Sequence, residues 1–234
     1  MQAGLDYHDM TYSLSHGKEL DVGQIGLAQE DLPPFDKGPV HVATWFAPEM
    51  SDHPLELEIG SGKGTFLVQH ARQARDVNFI GIEWSRAYWR YAADRCRRHG
   101  LQNVRLVRAE AAAFLRYYIP EACLRKVHIY FPDPWPKKRH HKRRLVQEPL
   151  LHDLHRALVA ATTPGSGLIK LATDHESYFQ WILEHVQRVH DLFEQLPFDR
   201  PESAEDTELV GTNFERKYRQ QGRPVYAMIL RKRG

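Results

Sequence analysis

From Leu55 onward the chain switches between two hydrophobic periods. Leu55-Glu56-Leu57-Glu58-Ile59 has the two-residue period of a strand and runs into glycines, after which Phe66, Leu67, His70, Ala71 and Ala74 share one helical face. Asn78 to Ile82 predicts a second strand, and Ser85 stands where it would cap a helix carrying Tyr88, Tyr91, Ala92 and Arg95. Val104 to Val107 predicts a third strand, with an Ala/Leu-rich helical stretch over 111–117, and Val127 to Phe131 a fourth. Pro149 suits a first helical position, with Leu150, Leu151, Leu154 and Leu158 as the buried stripe. Residues 167–172 predict a fifth strand, and Phe179, Ile182, Leu183, Val186 and Val189 a helix after it.

The C-terminal stretch differs: Phe193 to Phe198, an acidic loop from Glu202 to Glu208, a short helix near 212–220, then Val225 to Leu230. Strands alternating with helices predict a doubly wound α/β sheet, mostly parallel. No long helix separates the last two strand candidates, so they are expected to pair antiparallel at one edge. Residues 1–50 show little periodicity and contain Pro33-Pro34, Pro39 and five glycines, which predicts an irregular N-terminal arm ahead of a domain over 51–234.

Composition narrows the class. At 234 residues, one domain with an appendage is expected. Two cysteines, Cys96 and Cys123, without a C-x-x-C pattern, exclude a disulfide scaffold and a Cys-rich zinc site. The fourteen histidines form no H-x-E or H-E-x-x-H pattern, so no spacing calls for a metal. No apolar run is long enough for a transmembrane helix. The N-terminal residues lack a signal-peptide layout, which makes the cytoplasm the expected compartment.

Charge is uneven. Residues 1–50 hold two cations, Lys18 and Lys37, against eight acids, while Lys137-Lys138-Arg139-His140-His141-Lys142-Arg143-Arg144 holds six cations and no acid. Such a run is either a solvated face or the footprint of a polyanion, and its context decides.

Two constellations supply that context. Glu58-Ile59-Gly60-Ser61-Gly62-Lys63-Gly64 follows a strand and opens a helix, where open α/β sheets bind nucleotides. Its G-x-G-x-G spacing, with Thr65 after it, departs from the dinucleotide G-x-G-x-x-G, and Glu58 suits a cation better than a phosphate. Glu83 ends the second strand, placed to accept from ribose hydroxyls. Trp84 beside it could lie on an adenine face, and Glu110 after the third strand could accept from an adenine amino group. Each acid alone reads as solvated. Three at successive strand ends around a glycine loop point to S-adenosylmethionine.

The second constellation is Phe131-Pro132-Asp133-Pro134-Trp135-Pro136, leaving the fourth strand. Its bland reading is an Asp-Pro turn with a core tryptophan. Prolines at alternate positions are expected to fix the chain extended and so hold Asp133 toward a nucleobase edge beside the Trp135 ring. The basic run downstream would track a phosphate backbone through Lys138, Arg139, Lys142, Arg143 and Arg144.

These strings, with Gly81-Ile82-Glu83, Lys142-Arg143-Arg144-Leu145-Val146, Ala172-Thr173-Asp174 and Thr212-Asn213-Phe214-Glu215, resemble the bacterial tRNA (guanine-N7-)-methyltransferases from about Pro54 to the C-terminus. The resemblance implies a Rossmann-like class I methyltransferase fold and methylation of guanine N7 at tRNA position 46, in the variable loop. It implies cofactor binding by Glu58, Glu83 and Glu110, to which the positions of Gly60, Gly62 and Trp84 add the loop and the stacking ring, and an active-site, cofactor-proximal role for Asp133. It further implies that Lys137, Asp174, Thr212, Asn213, Phe214 and Glu215 hold the substrate. Asp174 also reads as the N-cap of the helix after the fifth strand. Two features depart from the family: Glu110 stands where Asp or Asn is usual, and the arm is acidic where it is often basic. A nicotinamide-dependent oxidoreductase, an exocyclic-amine methyltransferase and a non-enzymatic RNA-binding subunit are the competing readings. No residue pattern speaks to oligomeric state.

Overall fold

The computed structural model describes residues 19–199, 210, 212, 215, 216 and 220–234. The chain order is β1 (Gly26–Ala28), β2 (Leu55–Ile59), α1 (Thr65–Gln73), β3 (Asn78–Ile82), α2 (Arg86–Arg98), β4 (Val104–Arg108), α3 (Ala111–Tyr118), β5 (Leu124–Tyr130), α4 (Glu148–Ala157), β6 (Leu168–Thr173), α5 (Glu176–Arg188), β7 (Phe193–Leu196) and β8 (Tyr226–Lys232). The eight strands form one sheet in the order β1-β4-β3-β2-β5-β6-β8-β7. All pairs are parallel except β6–β8 and β7–β8.

The sheet is buried on both faces, and β2 shows how one strand serves two layers. Leu55, Leu57 and Ile59 join the larger core with residues of α3, α4 and α5, including Phe114, Leu151 and Ile182. On the opposite face Leu67, Val68 and Ala71 of α1 pack with Ala92, Ala93 and Cys96 of α2. Glu56 and Glu58 alternate onto that second face and are buried as well. Strand order reverses between β2 and β5, so a crevice opens at their C-terminal ends, the position where this topology places ligands.

Three expectations change. The N-terminal arm is not wholly irregular: β1 pairs in parallel with β4 and adds a strand to the sheet edge. Gly26 is required there, because a Cβ would lie 2.7 Å from Val22 Cβ and 3.0 Å from the Trp89 ring. The antiparallel pair at the C-terminal end forms as expected, but β8 inserts between β6 and β7, leaving β7 as the edge. The fourth strand starts three residues earlier than Val127, at Leu124. The acidic loop and most of the short helix near 212–220 lie outside the described residues.

Candidate active site

The glycine loop is built by hydrogen bonds that use up its own donors. Gly60 N and Ser61 N both donate to Ile82 O, at 2.8 and 3.0 Å, and Gly64 N donates to Ser61 O at 2.8 Å. Gly62 N donates to Glu83 Oε2 at 2.8 Å. A phosphate cradle needs loop N–H groups pointing outward. Here the N–H groups of residues 60, 61, 62 and 64 are committed internally, which disfavours the oxidoreductase reading. Gly60, at φ +81°, has open space where a Cβ would sit, so the loop leaves room for a ligand at that residue.

Glu58 lies beneath this loop, 4% exposed. Burial pushes its pKa up to about 8, with nearby Ser61 opposing the rise and the Glu83 charge adding to it. Glu58 Oε2 and Ser61 Oγ are buried without hydrogen-bond partners among the described residues. Two orphaned oxygens beside an open glycine form a site that a cationic, hydrogen-bond-donating group completes. The acid set therefore fits the sulfonium and ammonium of S-adenosylmethionine.

Glu83 acts as an organiser. Its Oε2 takes the Gly62 N–H, and its Oε1 takes the Ser85 N–H at 2.8 Å. Ser85 does occupy the N-cap position of α2, but its hydroxyl makes no capping bond. Burial raises the Glu83 pKa, the two amides oppose this, and the charge of Asp133 raises it further. Asp133 therefore lies near enough to Glu83 for its charge to be felt there. Trp84 is 67% exposed at its rim, available to stack. Glu110 caps α3, with its two oxygens accepting from Ala112 N at 3.0 Å and Ala113 N at 2.8 Å. A carboxylate oxygen keeps further acceptor capacity, so capping and ligand contact are compatible.

The loop after β5 is not extended. Phe131 and Trp135 have φ of 53° and 42°, so the chain turns sharply on either side of exposed Asp133. Left-handed backbone at two non-glycine residues is costly and is held only where its surroundings enforce it. The Trp135 ring is covered by the Arg143 guanidinium, 4.9 Å from its centroid, with the His140 ring edge-on at 5.7 Å.

Lys138 to Arg143 form one short 3-10 segment, N-capped by Lys137, and Lys137, Lys138, Arg139, Lys142 and Arg143 are exposed. Arg144 is not: it is 2% exposed and cannot be the phosphate contact the sequence suggested. Its side chain turns inward to the Asp133 loop and α5, a placement the charge run gave no sign of.

The remaining substrate candidates are mixed. Asp174 is not the N-cap of α5, since His175 takes that position; its carboxylate pairs with Arg223 at 2.6 Å. Thr212 Oγ1 accepts from Glu215 N at 3.1 Å, and buried Glu215 accepts from Val210 N at 2.7 Å. These bonds link Thr212 and Glu215 to each other and Glu215 to Val210. Asn213 and Phe214 lie outside the described residues.

Sequence reading missed a buried network under the site. Glu56, fully buried, accepts from His128 Nε2 at 2.8 Å and pairs with Arg125 and with Lys126 at 3.4 Å, while His70 lies 3.6 Å away. Burial lowers the His128 pKa to about 4 against the opposing pull of Glu56, leaving a neutral ring that donates to Glu56 and accepts from Tyr130 Oη at 2.9 Å. Although Glu56, His70 and His128 bring three ligand atoms within 4.8 Å, Arg125 and Lys126 already balance the glutamate charge. The cluster reads as a charge-balanced brace between β2, α1 and β5.

A family model described as "Putative methyltransferase" matches residues 52–228. The chain is 36% identical over 189 residues to a tRNA (guanine-N(7)-)-methyltransferase of Corynebacterium diphtheriae, covering 80% of this chain and 70% of that one. It is 38% identical over 180 residues to a protein of the same name from Alkalilimnicola ehrlichii, covering 77% and 73%. Among solved structures, a 30S ribosomal A1408 methyltransferase from an uncultured bacterium superposes with a TM-score of 0.52 at 14% identity, over 92% of this chain and 96% of that one. That last likeness bears on the fold alone.

Proposed function

The chain belongs to the tRNA (guanine-N(7)-)-methyltransferase family, and from that premise we propose that it transfers a methyl group from S-adenosylmethionine to N7 of a guanine in tRNA, at position 46 of the variable loop. The observation that carries the reading is the crevice itself. A buried, half-orphaned Glu58 and an internally bonded glycine loop face, across Glu83, the strained loop that presents Asp133.

S-adenosylmethionine supplies a methyl group on a cationic sulfur. Glu58 and Ser61 offer the oxygens that complete its polar contacts, and Glu83 offers its remaining acceptor capacity to the ribose. Guanine N7 carries an in-plane lone pair at neutral pH, so the chain needs no base to create the nucleophile. Its task is orientation, which can supply several kcal/mol when the reacting atoms are held in line. Asp133 does this by accepting from the guanine N1–H and 2-amino group. Lys137 to Arg143 supply cations for the tRNA backbone, and a tRNA substrate favours the cytoplasm as the compartment.

Labelled S-adenosylmethionine and an unmodified tRNA transcript test the reaction, with nucleoside analysis expected to give 7-methylguanosine. A transcript made with 7-deazaguanine keeps every Watson–Crick donor and lacks only N7. It should bind without accepting a methyl group; methylation of that transcript would defeat the assignment.

A further inference from the structure

The loop from Phe131 to Pro136 cannot hold itself in place. Pro132, Pro134 and Pro136 carry no N–H, and Phe131 and Trp135 sit in left-handed conformations that relax if nothing opposes them. Phe131 N donates to Ala172 O at 2.7 Å and anchors the start of the loop; for the proline-rich stretch after it, Arg144 supplies a donor from outside. Its Nε donates to Pro134 O at 2.9 Å, the carbonyl between Asp133 and Trp135. The same guanidinium donates to Ser177 O and Ser177 Oγ, both at 3.2 Å. Its carbon lies 5.1 Å from the Tyr178 ring centroid and 5.3 Å from that of Trp181.

A buried cation is costly unless it is fully coordinated. Arg144 forms no ion pair with a carboxylate among the described residues; three oxygen acceptors and two aromatic faces hold it instead. Such a set suits the planar fork of arginine and not the point charge of lysine. Arg144 also closes the basic segment, donating its own N–H to His141 O at 2.9 Å. One residue thus joins the RNA-facing 3-10 turn, the first turn of α5 and the strained loop.

We propose that Arg144 is a positioning residue for methyl transfer: it clamps the Pro134 carbonyl to α5 and so fixes where Asp133 presents its carboxylate. The inference rests on the reading of Asp133 as the group that grips the guanine. Because the clamp sits behind the loop, its loss misplaces Asp133 without removing an RNA contact. A displacement on the order of 1 Å at such a site lowers turnover by about a hundred-fold.

Steady-state kinetics of the full-length protein on a tRNA transcript test it, with Asp133→Asn in the same assay. Arg144→Lys should lower kcat by about ten- to a hundred-fold, with KM for tRNA and calorimetric affinity for S-adenosylmethionine unchanged and a lower melting temperature, since a buried ammonium leaves acceptors of the guanidinium unfilled. Soluble guanidinium should restore part of the turnover of Arg144→Ala. A parent-like kcat for Arg144→Lys overturns the proposal, and so does a loss expressed only as a higher KM for tRNA, which returns Arg144 to the RNA face. Parent-like turnover by Asp133→Asn defeats the Asp133 reading instead. If Arg144→Lys fails to fold, Ser177→Ala decides, because it removes one acceptor from an exposed position. A smaller fall in kcat supports the clamp, and a parent-like kcat overturns it.

Discussion

Glu83 Oε2 holds the Gly62 amide at 2.8 Å, so the residue expected to bind the ribose also shapes the glycine loop. Its other oxygen holds the Ser85 amide that starts α2. One carboxylate thus ties the end of β3 to the loop after β2 and to the helix behind it. Ligand affinity and loop shape are coupled through this side chain.

Glu83→Ala should therefore weaken S-adenosylmethionine binding by at least about 1.5–3 kcal/mol, the range for hydrogen bonds to a charged group. Glu83→Gln should lose less, because its amide oxygen can still accept one of the two backbone bonds. Calorimetry on the purified variants measures both. Equal affinity in Glu83→Ala and the parent would remove the ribose assignment.

Glu58 predicts a pH dependence. Its pKa of about 8 in the free protein keeps it protonated at neutral pH, whereas a cationic ligand favours the carboxylate. Binding below that pKa must then release a proton. Affinity for S-adenosylmethionine should rise with pH and level off above about 8. The same raised pKa means that stability contributed by protonated Glu58 is lost as pH rises from its ordinary value of 4.5 through about 8. Glu58→Gln should flatten both profiles, and calorimetry in two buffers of different ionisation enthalpy counts the proton. An identical slope in the variant refutes the assignment.

The parallel sheet was legible because its strands are five or more residues of apolar, often β-branched sequence, each followed by a helical stripe; Asn78 to Ile82 was placed to the residue. β1 was not, since Gly-Leu-Ala carries no strand signature and depends on Leu106 N donating to Ile25 O and on Trp89 behind Gly26. At the site, the acids could be read from their places at strand ends, and the comparisons support the family they suggested. What could not be read was direction. Arg144 belongs to the same charge run as Arg143, yet one faces outward over Trp135 and the other turns in to Pro134. Glu56 alternates in β2 like Glu58, and only tertiary contacts distinguish the balanced acid from the orphaned one.

Gly81 tests how tightly the loop is packed. A Cβ there would lie 2.5 Å from Ser61 Oγ, 2.5 Å from Leu67 Cδ1 and 2.7 Å from Leu106 Cδ1. Gly81→Ala should destabilise the fold by about 1–3 kcal/mol, the usual cost of overpacking, and push Ser61 out of the ligand crevice. Denaturant unfolding and calorimetry should show both losses together. A stable variant with parent affinity would mean that the packing yields elsewhere.

The basic segment should bind tRNA through released counterions, and the structure says which cations count. Exposed side chains that neutralise phosphates each add about 0.7–0.9 to the slope of log affinity against log salt. Replacing Arg139, Lys142 and Arg143 with Ala should therefore reduce that slope by about 2–3 while leaving S-adenosylmethionine binding intact. Arg144→Lys should leave the slope unchanged, because a guanidinium 2% exposed and bound to Pro134 O cannot reach a phosphate. Filter binding across a salt series compares the two variants directly. A slope that survives the triple replacement would make the run a solvated face, and a slope that falls in Arg144→Lys would show that this side chain swings outward when RNA arrives.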